Sequence, residues 1–193
     1  MRCTLASPRF IMNKQRCKWC NPKNPLYIKY HDEEWCSPNF DEQYLYEMLI
    51  LESFQAGLSW ECVLNKREDF RLAYDNFDVH KVAQYGDEKI AELLDNSKII
   101  RHKLKIKASI ENSAIFCDIV KEFGTFGDYL NTFTHGEIIH ELGKTTNGFS
   151  DAISSDLKKR GMKFVGSVII YSYLQAIGVI HSHDEGCFMY NGI

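Results

Sequence analysis

Signals for α-helices occur along most of this 193-residue chain, whereas no run of residues shows the clean apolar–polar alternation of a half-buried strand. After Asp41, the residues Leu45, Met48 and Leu49 recur at the i, i+3, i+4 spacing of one helix face. Asp41 carries a side chain suited to a helix N-cap, so the pattern predicts a helix from there to about Gln55. We therefore expect a mostly α-helical fold.

Capping residues and glycines divide the rest of the chain into further predicted helices. These cover 63–74, a short segment opened by Asp78 or the next residue, 88–94 after a capping Asp87, 98–123 with one break, a helix from Ser150 or Asp151 to Arg160 that Gly161 ends, and 167–178. No linker rich in Pro, Gly or Ser divides the chain. We expect residues 1–15 to be a poorly ordered N-terminal extension and residues 16–193 to form a single domain.

Composition excludes several classes of protein. A chain that is 45% hydrophobic and 25% charged is neither collagen-like nor disordered. The uncharged stretch from Phe164 to His183 is long enough to cross a bilayer, but polar residues and glycines interrupt it, so we expect a buried core helix and no membrane partner. Pro8 and Arg9 break the apolar stretch near the start, which argues against a signal peptide. With an odd number of cysteines, seven, we expect reduced thiols and a cytoplasmic protein.

Basic residues form two local clusters although the formal net charge is -3. The first, within 98–107, contains five lysines and arginines and no acid, and the second, within 156–163, contains four against one Asp. Each cluster is either a solvated helix face or a patch that contacts phosphates. The sequence pattern alone leaves both interpretations open.

Residues that can bind a metal lie near both ends of the chain. Cys17 and Cys20 form a C-x2-C pair with His31 downstream, and His183 and Cys187 are four residues apart. A structural zinc site takes four tetrahedral nitrogen or sulfur ligands, and two from each end would join the ends of a helical domain. Buried thiols and surface imidazoles are the alternative, and spacing does not decide the ligand set.

The motif His31-Asp-Glu33 also matches the H-x-E of zinc nucleobase deaminases. That family needs a P-C-x-x-C after the H-x-E, whereas the C-x2-C here lies before it and has no preceding Pro. The order of the motifs therefore excludes a deaminase.

Glu52 falls on the apolar face of the helix predicted after Asp41, at i+4 from Met48. A carboxylate in that position either reaches water at the edge of the apolar face or lines a pocket. In a pocket it needs hydrogen-bond or charged partners, or its pKa rises. Several aromatic residues occur before and after Glu52 in the sequence, namely Trp19, Tyr27, Tyr30, Trp35 and Trp60. Aromatic rings beside a carboxylate can bind a flat or cationic ligand, but aromatic residues are also common in a hydrophobic core.

The segment 157–166 reads as a helix end, a turn bounded by Gly161 and Gly166, and the start of another helix. Turn amides and a helix N-terminus can bind a phosphate, and Lys163 lies between the two glycines. This arrangement is typical of a helix-hairpin-helix motif, although the usual short G-x-G is absent. A plain packing corner between two helices is the alternative.

Taken together, these segments resemble one family, the bacterial DNA-3-methyladenine glycosylase I (Tag) family. The resemblance covers about residues 16 to 187 in the family's order. The matching words are Arg16-Cys-x-Trp19, Pro25-Leu-Tyr-Ile-x-Tyr-His31-Asp-x-Glu-Trp35, Leu51-Glu-x-x-Gln-Ala-Gly-Leu-Ser-Trp60, Ile99-Ile-Arg-His-x-x-Lys105-Ile, Leu157-Lys-Lys-Arg-Gly-x-Lys-Phe-Val-Gly166, Tyr171-Ser-x-x-Gln175-Ala-x-Gly178 and His183-x-x-Gly-Cys187.

The resemblance implies the helix-hairpin-helix DNA glycosylase fold and a monofunctional enzyme of base excision repair without lyase activity. The family's structural zinc, one per chain, falls on Cys17, His31, His183 and Cys187 and joins the N- and C-terminal segments, which leaves Cys20 without a role. With four protein ligands the zinc has no open position for hydrolytic chemistry.

The resemblance also implies the residues that contact DNA and the base. The carboxylate that contacts the base matches Glu52, the stacking aromatics match Tyr30 and Trp60, and the pocket wall matches Tyr27, Trp19 and Trp35. Leu58 lies near the gap left by the flipped nucleotide, and the hairpin residues Gly161, Lys163 and Gly166 contact phosphates. We expect a monomer that acts on alkylated duplex DNA and releases free 3-methyladenine; the alternative is a non-catalytic, zinc-stapled DNA-binding module.

Three residues depart from the family's pattern. Cys36 stands where Gly is common, Met162 replaces an aromatic residue in the hairpin, and Phe54 replaces a polar residue beside Gln55. None of the three is a predicted catalytic or metal-binding position. We expect them to alter the shape of the pocket and of the local turns.

Overall fold

The structure is a computed structural model that describes residues 14–190. The expected extension up to residue 13, with the segment examined for a signal peptide, lies outside this range. The described residues form ten α-helices and two short strands: α1 Pro25–Glu33, α2 Glu42–Gln55, α3 Trp60–Leu64, α4 Arg67–Ala73, α5 Val79–Val82, α6 Asp87–Asp95, α7 Lys103–Phe123, α8 Phe126–Thr134, α9 Gly148–Lys159, α10 Ser167–Ala176, β1 Ile139–His140 and β2 Ile180–His181. The prediction of a mostly α-helical fold is confirmed.

Helix α2 is the centre of the fold. The predicted cap is confirmed, because the side chain of Asp41 accepts a hydrogen bond from the backbone N–H of Tyr44. The helix is buried on all sides over 45–54, not on one face only, because α3, α7, α8 and α10 pack around it. Every side chain in that stretch, Glu52 included, is therefore inside the protein.

Several predicted boundaries are wrong for identifiable reasons. The segment 63–74 is divided between α3 and α4, and α7 begins only at Lys103, where the side chain of His102 caps it. Asn147 caps α9 in a capping box with Ser150, so Ser150 lies in the first turn. Asp87 is likewise the first residue of its helix and makes no capping bond. Helices α1 and α8 have no counterpart among the predicted helices.

A buried ionic network joins three helices. The guanidinium of Arg67 on α4 contacts Glu47 of α2 and Glu34, the residue after α1, each at 2.6 Å. Arg71 contacts the same Glu47 at 2.9 Å. Removing one partner of a buried pair leaves an unpaired charge at a cost of about 3–5 kcal/mol. The network thus holds α1 against α2.

The two ends of the described chain lie side by side. The backbone N–H of Phe188 donates to the carbonyl of Gln15 at 2.9 Å, and that of Lys18 donates to the carboxylate of Asp184 at 2.8 Å. The uncharged stretch forms buried α10 and the strand after it, as expected for a core helix. Over residues 14–190, no helix is both long and apolar enough to span a membrane.

Candidate functional site: a Cys/His cluster beside an aromatic cavity

Four residues from the two ends of the chain bring their donor atoms together. The donor atoms of Cys17, His31, His183 and Cys187 all lie within 4.8 Å of one another, and all four residues are buried. Cys17 Sγ is 3.4 Å from His183 Nδ1, and Cys187 Sγ is 3.4 Å from His31 Nε2 and 3.6 Å from His183 Nδ1. A tetrahedral centre with ordinary zinc–sulfur and zinc–nitrogen bonds spaces its donors about 3.3–3.8 Å apart. The cluster therefore fits a metal ion with two sulfur and two nitrogen ligands.

The surroundings of the cluster orient its imidazoles and favour their neutral form. His31 Nδ1 lies 2.9 Å from a carboxylate oxygen of Asp32, which leaves Nε2 directed at the cluster. Arg16 holds the same carboxylate with two hydrogen bonds of 2.7 and 2.6 Å. Burial lowers the pKa of His31, and burial together with the neighbouring His31 lowers the pKa of His183 to about 4. Both rings are therefore available as neutral ligands at pH 7.

Both thiols of the cluster are buried. Burial raises the pKa of the Cys17 thiol. The backbone N–H of Asp184 donates to Cys17 Sγ at 3.3 Å and that of Met189 to Cys187 Sγ at 3.4 Å, contacts that also suit a thiolate. A metal ion that displaces the protons would stabilise the thiolates. Cys20 lies outside the cluster, with its thiol 3.7 Å from the carbonyl of Tyr27.

A cavity of about 210 Å³ lies next to the cluster. The six sequence-predicted base-site residues line it, together with three polar residues: Trp19, Tyr27, Tyr30, Trp35, Glu52, Trp60, Gln55, Ser172 and Gln175. Trp19 and Trp35 form the wall shared with the Cys/His cluster, since Trp19 lies 5.2 Å from His31 and Trp35 lies 4.7 Å from His183, measured between ring centroids. The cavity and the cluster therefore form one continuous region.

Glu52 is a buried carboxyl group that has no counter-charge among residues 14–190. It is 3% exposed, and its Oε2 has no hydrogen-bond partner among the described residues. Burial raises the pKa of Glu52 well above the usual value. By contrast Glu47, five residues earlier on α2, is 5% exposed and is held by Arg67 and Arg71. A lone buried carboxyl in a cavity is the arrangement expected of a functional group awaiting a ligand.

Tyr30 and Trp60 stand beside Glu52 in a V-shaped arrangement. Their ring centroids are 5.3 Å apart and the ring planes make an angle of 47°. At that distance the rings contact each other, so a third ring can insert only at the open side of the V or after the two separate. The indole Nε1 of Trp60 is buried and has no acceptor among the described residues. It remains available to a ligand.

Three polar residues of the cavity, Gln55, Ser172 and Gln175, were not predicted as site residues. Gln55 Oε1 is buried and has no donor among the described residues. Ser172 and Gln175 lie three residues apart on α10 and so share a helix face. Their signal in the sequence was the interruption of the uncharged stretch by polar side chains.

Leu58 projects from the loop between α2 and α3. Its side chain is 41% exposed, and Gly57 before it has a φ of +78°, which favours glycine. The backbone N–H of Leu58 donates to the carbonyl of Gln55 at 2.6 Å and closes the turn. An exposed leucine is thus held on a tight turn beside the cavity.

The segment 160–166 forms a turn between α9 and α10, which pack against each other. Gly161 ends the first helix with a φ of +103°. Gly166 precedes the second helix, and no side chain in the described part of the chain caps the amides of that helix. Asn112 of α7 fixes the turn through two hydrogen bonds of 2.9 Å to the backbone N–H and carbonyl of Lys163. Lys163 Nζ lies 2.5 Å from the exposed Glu111, so this lysine is partly neutralised.

The comparisons with known proteins identify the family of the chain. The model of the methyladenine glycosylase family matches residues 19–190. The chain belongs to the methyladenine glycosylase family. It is 42% identical over 185 residues to DNA-3-methyladenine glycosylase 1 of Escherichia coli (strain K12), with 92% of this chain and 98% of that protein covered.

Two solved structures of 3-methyladenine DNA glycosylase I resemble this family member throughout. One has a TM-score of 0.87 and 41% identity, covering 91% of this chain and all of the other. The second, a tyrosine-to-phenylalanine variant in complex with 3-methyladenine, has a TM-score of 0.82 and 31% identity, covering 86% of this chain and 92% of that one. The sequence resemblance is therefore confirmed.

The three departures from the methyladenine glycosylase pattern are accommodated within the fold. Cys36 adopts a φ of +62°, a conformation that favours glycine, and its N–H donates to the carbonyl of Gln175 at 2.9 Å. Met162 and Phe54 are buried in the core. The turn thus persists without glycine, and Phe54 points away from solvent although it adjoins Gln55.

A larger cavity of about 600 Å³ lies elsewhere in this methyladenine glycosylase family member. Residues of α2, α5, α7 and the 3-10 turn Asp75–Phe77 line it, and none of the sequence-predicted site residues is among them. The choice of the smaller cavity as the candidate site therefore rests on its residues and not on its volume. The smaller cavity contains the unpaired carboxyl group and the aromatic rings.

Proposed function

We propose that the protein is a monofunctional DNA glycosylase of base excision repair, which hydrolyses the N-glycosidic bond of 3-methyladenine in alkylated duplex DNA. The observation that carries the proposal is Glu52, a buried carboxyl group without a partner for its Oε2 among the described residues, in a cavity walled by aromatic rings. Such a cavity suits a flat, cationic base. Membership of the methyladenine glycosylase family supports the choice of base.

In this proposal, Glu52 selects the damaged base because that base is positively charged. N3-methylated adenine is positively charged in the nucleoside, whereas normal adenine is neutral. A cationic ring with an amine edge provides the counter-charge and the hydrogen-bond donors that Glu52 lacks, and it brings the raised pKa of this carboxyl group down again. Normal adenine offers only the donors, so its entry leaves the buried carboxylate without a counter-charge.

The aromatic residues hold the base in the proposed complex. The ring inserts at the open side of the V formed by Tyr30 and Trp60, and Tyr27, Trp19 and Trp35 complete the wall. Contact of a cationic ring with aromatic faces is favourable, by about 2 kcal/mol or more where water is excluded. Gln55 and the indole N–H of Trp60 offer further polar contacts at the ring's edge.

The bond-breaking step needs little from the protein. The bond between C1′ and N9 breaks, its electron pair goes to the departing base, and the base leaves neutral because it was cationic. Water then forms the new C1′–O bond through an oxocarbenium-like state and releases a proton. The DNA phosphates and Glu52 favour the developing positive charge. No lysine forms a Schiff base in this scheme, so we propose no lyase activity.

Access to the base requires that the nucleotide leave the duplex, at a cost of a few kcal/mol. We place Leu58 in the resulting gap, because it is an exposed apolar side chain on a tight turn beside the cavity. Helices α9 and α10 act as the helix-hairpin-helix. The helix amides after Gly166 and the ammonium of Lys163 bind phosphates. Gly161 shapes the turn, because the next two backbone N–H groups donate to Leu157 and Asn112.

The Cys/His cluster is proposed to hold one structural zinc ion per chain. Cys17 and His31 come from the N-terminal segment, and His183 and Cys187 come from the C-terminal one. Four protein ligands complete a tetrahedral shell, so the ion supplies stability and no chemistry. We propose a monomer in the cytoplasm, where the thiols stay reduced. The alternative is a DNA-binding module of the same scaffold without catalysis.

The test is base release from methylated duplex DNA by the purified protein, with the freed bases identified by chromatography. The proposal expects release of 3-methyladenine while 7-methylguanine stays in place. If a folded protein that binds duplex DNA releases no base, the proposal is wrong, and the non-catalytic module is the better description.

A further inference from the structure

The motif Ile99-Ile-Arg-His-x-x-Lys105-Ile contains a lysine to which the proposed function gives no role. Lys105 lies in the first turn of α7 and is 7% exposed, unlike the other basic residues of its cluster. The interpretation of the whole cluster 98–107 as a surface patch is therefore wrong for this residue. A lysine is rarely buried to this extent without a specific partner.

The ammonium group of Lys105 contacts the end of α2. Its Nζ donates to the backbone carbonyl of Phe54 at 2.8 Å and to that of Ala56 at 2.6 Å. Ala56 is the residue after α2 and has left the helical conformation, with a ψ of 112°. A cation bound to the last carbonyls of a helix satisfies them and interacts favourably with the helix dipole.

The carbonyls held by Lys105 lie at the start of the turn that presents Leu58. Ala56 begins that turn, and the N–H of Leu58 closes it on the carbonyl of Gln55. The Lys105 ammonium and the turn residues Ala56, Gly57 and Leu58 line the same surface depression. The position of Leu58 is thus tied to α7 by one side chain.

The same helix also fixes the hairpin. Asn112, seven residues after Lys105 and so on the same face of α7, holds the backbone of Lys163 at both its N–H and its carbonyl. The Lys105 ammonium lies 5.9 Å from the ring centroid of Phe164, the next hairpin residue. Lys105 and Asn112, which hold the two proposed DNA-contacting segments, are therefore separated by two turns of one helix, about 10 Å along its axis.

We infer that Lys105 is a positioning residue. It holds the Leu58 turn at a fixed distance from the hairpin, so that both segments can contact the same DNA duplex. This inference rests on the proposed function. It assigns Lys105 no contact with the base, since it does not line the cavity of Glu52. Loss of Lys105 should therefore impair excision from duplex DNA and leave the binding of the free base unchanged.

The variant that tests the inference is Lys105→Met, with Lys121→Met as a matched control. Lys121 lies in the last turn of the same helix, and within residues 14–190 its ammonium pairs only with the exposed Asp118. We expect K105M to lower single-turnover excision of 3-methyladenine from duplex DNA by about tenfold or more. Its affinity for free 3-methyladenine, followed by tryptophan fluorescence, should stay within about twofold of the wild-type value, and K121M should match the wild type in both.

A double-mutant cycle with Leu58→Ala separates positioning from a merely structural role. If Lys105 acts through the Leu58 turn, K105M should reduce excision little further once Leu58 is replaced. Should K105M fail to fold, the cycle is run with Lys105→Arg, which keeps the charge but presents it on a differently shaped head group. The loss caused by K105R should likewise disappear in the L58A background.

Three results would overturn the inference. The first is excision by K105M at the wild-type rate. The second is a double variant whose loss of excision equals the sum of the losses, as free energies, in the Lys105 and Leu58 single variants. The third is a loss of affinity for free 3-methyladenine in K105M as large as its loss of excision. In each case a wild-type protein that releases 3-methyladenine leaves the proposed function intact. If the wild type releases no base, the proposed function and this inference are both wrong.

Discussion

Glu52 provides the sharpest test of the reasoning, because one substitution should raise stability and lower activity together. Glu52→Gln keeps the shape of the side chain and removes the carboxyl group. A hydrogen bond that involves a charged group contributes about 1.5–3 kcal/mol. If Glu52 makes one such bond to the base, E52Q should lower kcat/KM for 3-methyladenine excision by about 10- to 150-fold. Binding to undamaged duplex DNA should not change.

The stability of E52Q follows from the raised pKa of Glu52 in the folded protein. The folded state binds the proton more tightly than the unfolded state, in which the pKa is about 4.3. The stability that this provides is complete below about pH 4.3 and is lost as the pH rises through the folded-state pKa. As the pH is raised over this window, the free energy of unfolding of the wild type should fall relative to that of E52Q. The difference in stability in favour of E52Q should therefore increase with pH.

The matched control is Glu47→Gln on the same helix. Glu47 is equally buried but is paired with Arg67 at 2.6 Å. Its replacement should lower the free energy of unfolding by about 3 kcal/mol, at the low end of the range for a broken buried pair because Arg67 keeps Glu34. Urea titrations at several pH values measure both variants. Excision by E52Q at the wild-type rate, or the same pH slope for E52Q and the wild type, would refute the role given to Glu52.

Other parts of the structure support further predictions. Cys187→Ser should reduce the zinc content, measured by atomic emission, and lower the melting temperature, whereas retention of about one zinc per chain would contradict the ligand set. Lys163→Ala should weaken binding to all duplexes and reduce the salt slope by about one unit, and Glu111→Gln should strengthen binding because it releases Lys163 from its 2.5 Å pair. Gly161→Ala should cost about 1–2 kcal/mol in urea denaturation because φ is +103°, while the control Gly148→Ala should not.

Local signals in the sequence located the elements whose ends are set by nearby side chains. Asp41 predicted the start of α2, and Gly161 predicted the end of α9, because a cap or a positive φ depends on only a few residues. The burial of α2 on every side was not predictable in this way. It depends on α7, α8 and α10, which are distant in the sequence.

The candidate site was predictable where residue types carry the chemistry and not where packing does. Two cysteines and two histidines near the chain ends suggested a metal site from their types alone, and the family resemblance chose among them. Lys105 looked like its exposed neighbours, because only the folded chain brings the carbonyls of Phe54 and Ala56 to its ammonium. Ser172 and Gln175 likewise become cavity residues only when α10 is packed against α2.

The Cys/His cluster and the cavity of Glu52 share helix α1, so the proposed zinc ion would also stabilise the walls of the cavity. Tyr30 and His31 are adjacent, so one turn of the helix directs a tyrosine into the cavity and a histidine into the cluster. Trp35 extends the link, since it lines the cavity and packs edge-on against His183. In the proposed zinc site, His183 and Cys187 would thus fix the helix that carries Tyr30 beside Glu52. A pocket that must hold a buried carboxyl group without collapsing needs rigid walls, and the cluster supplies them from outside the pocket itself.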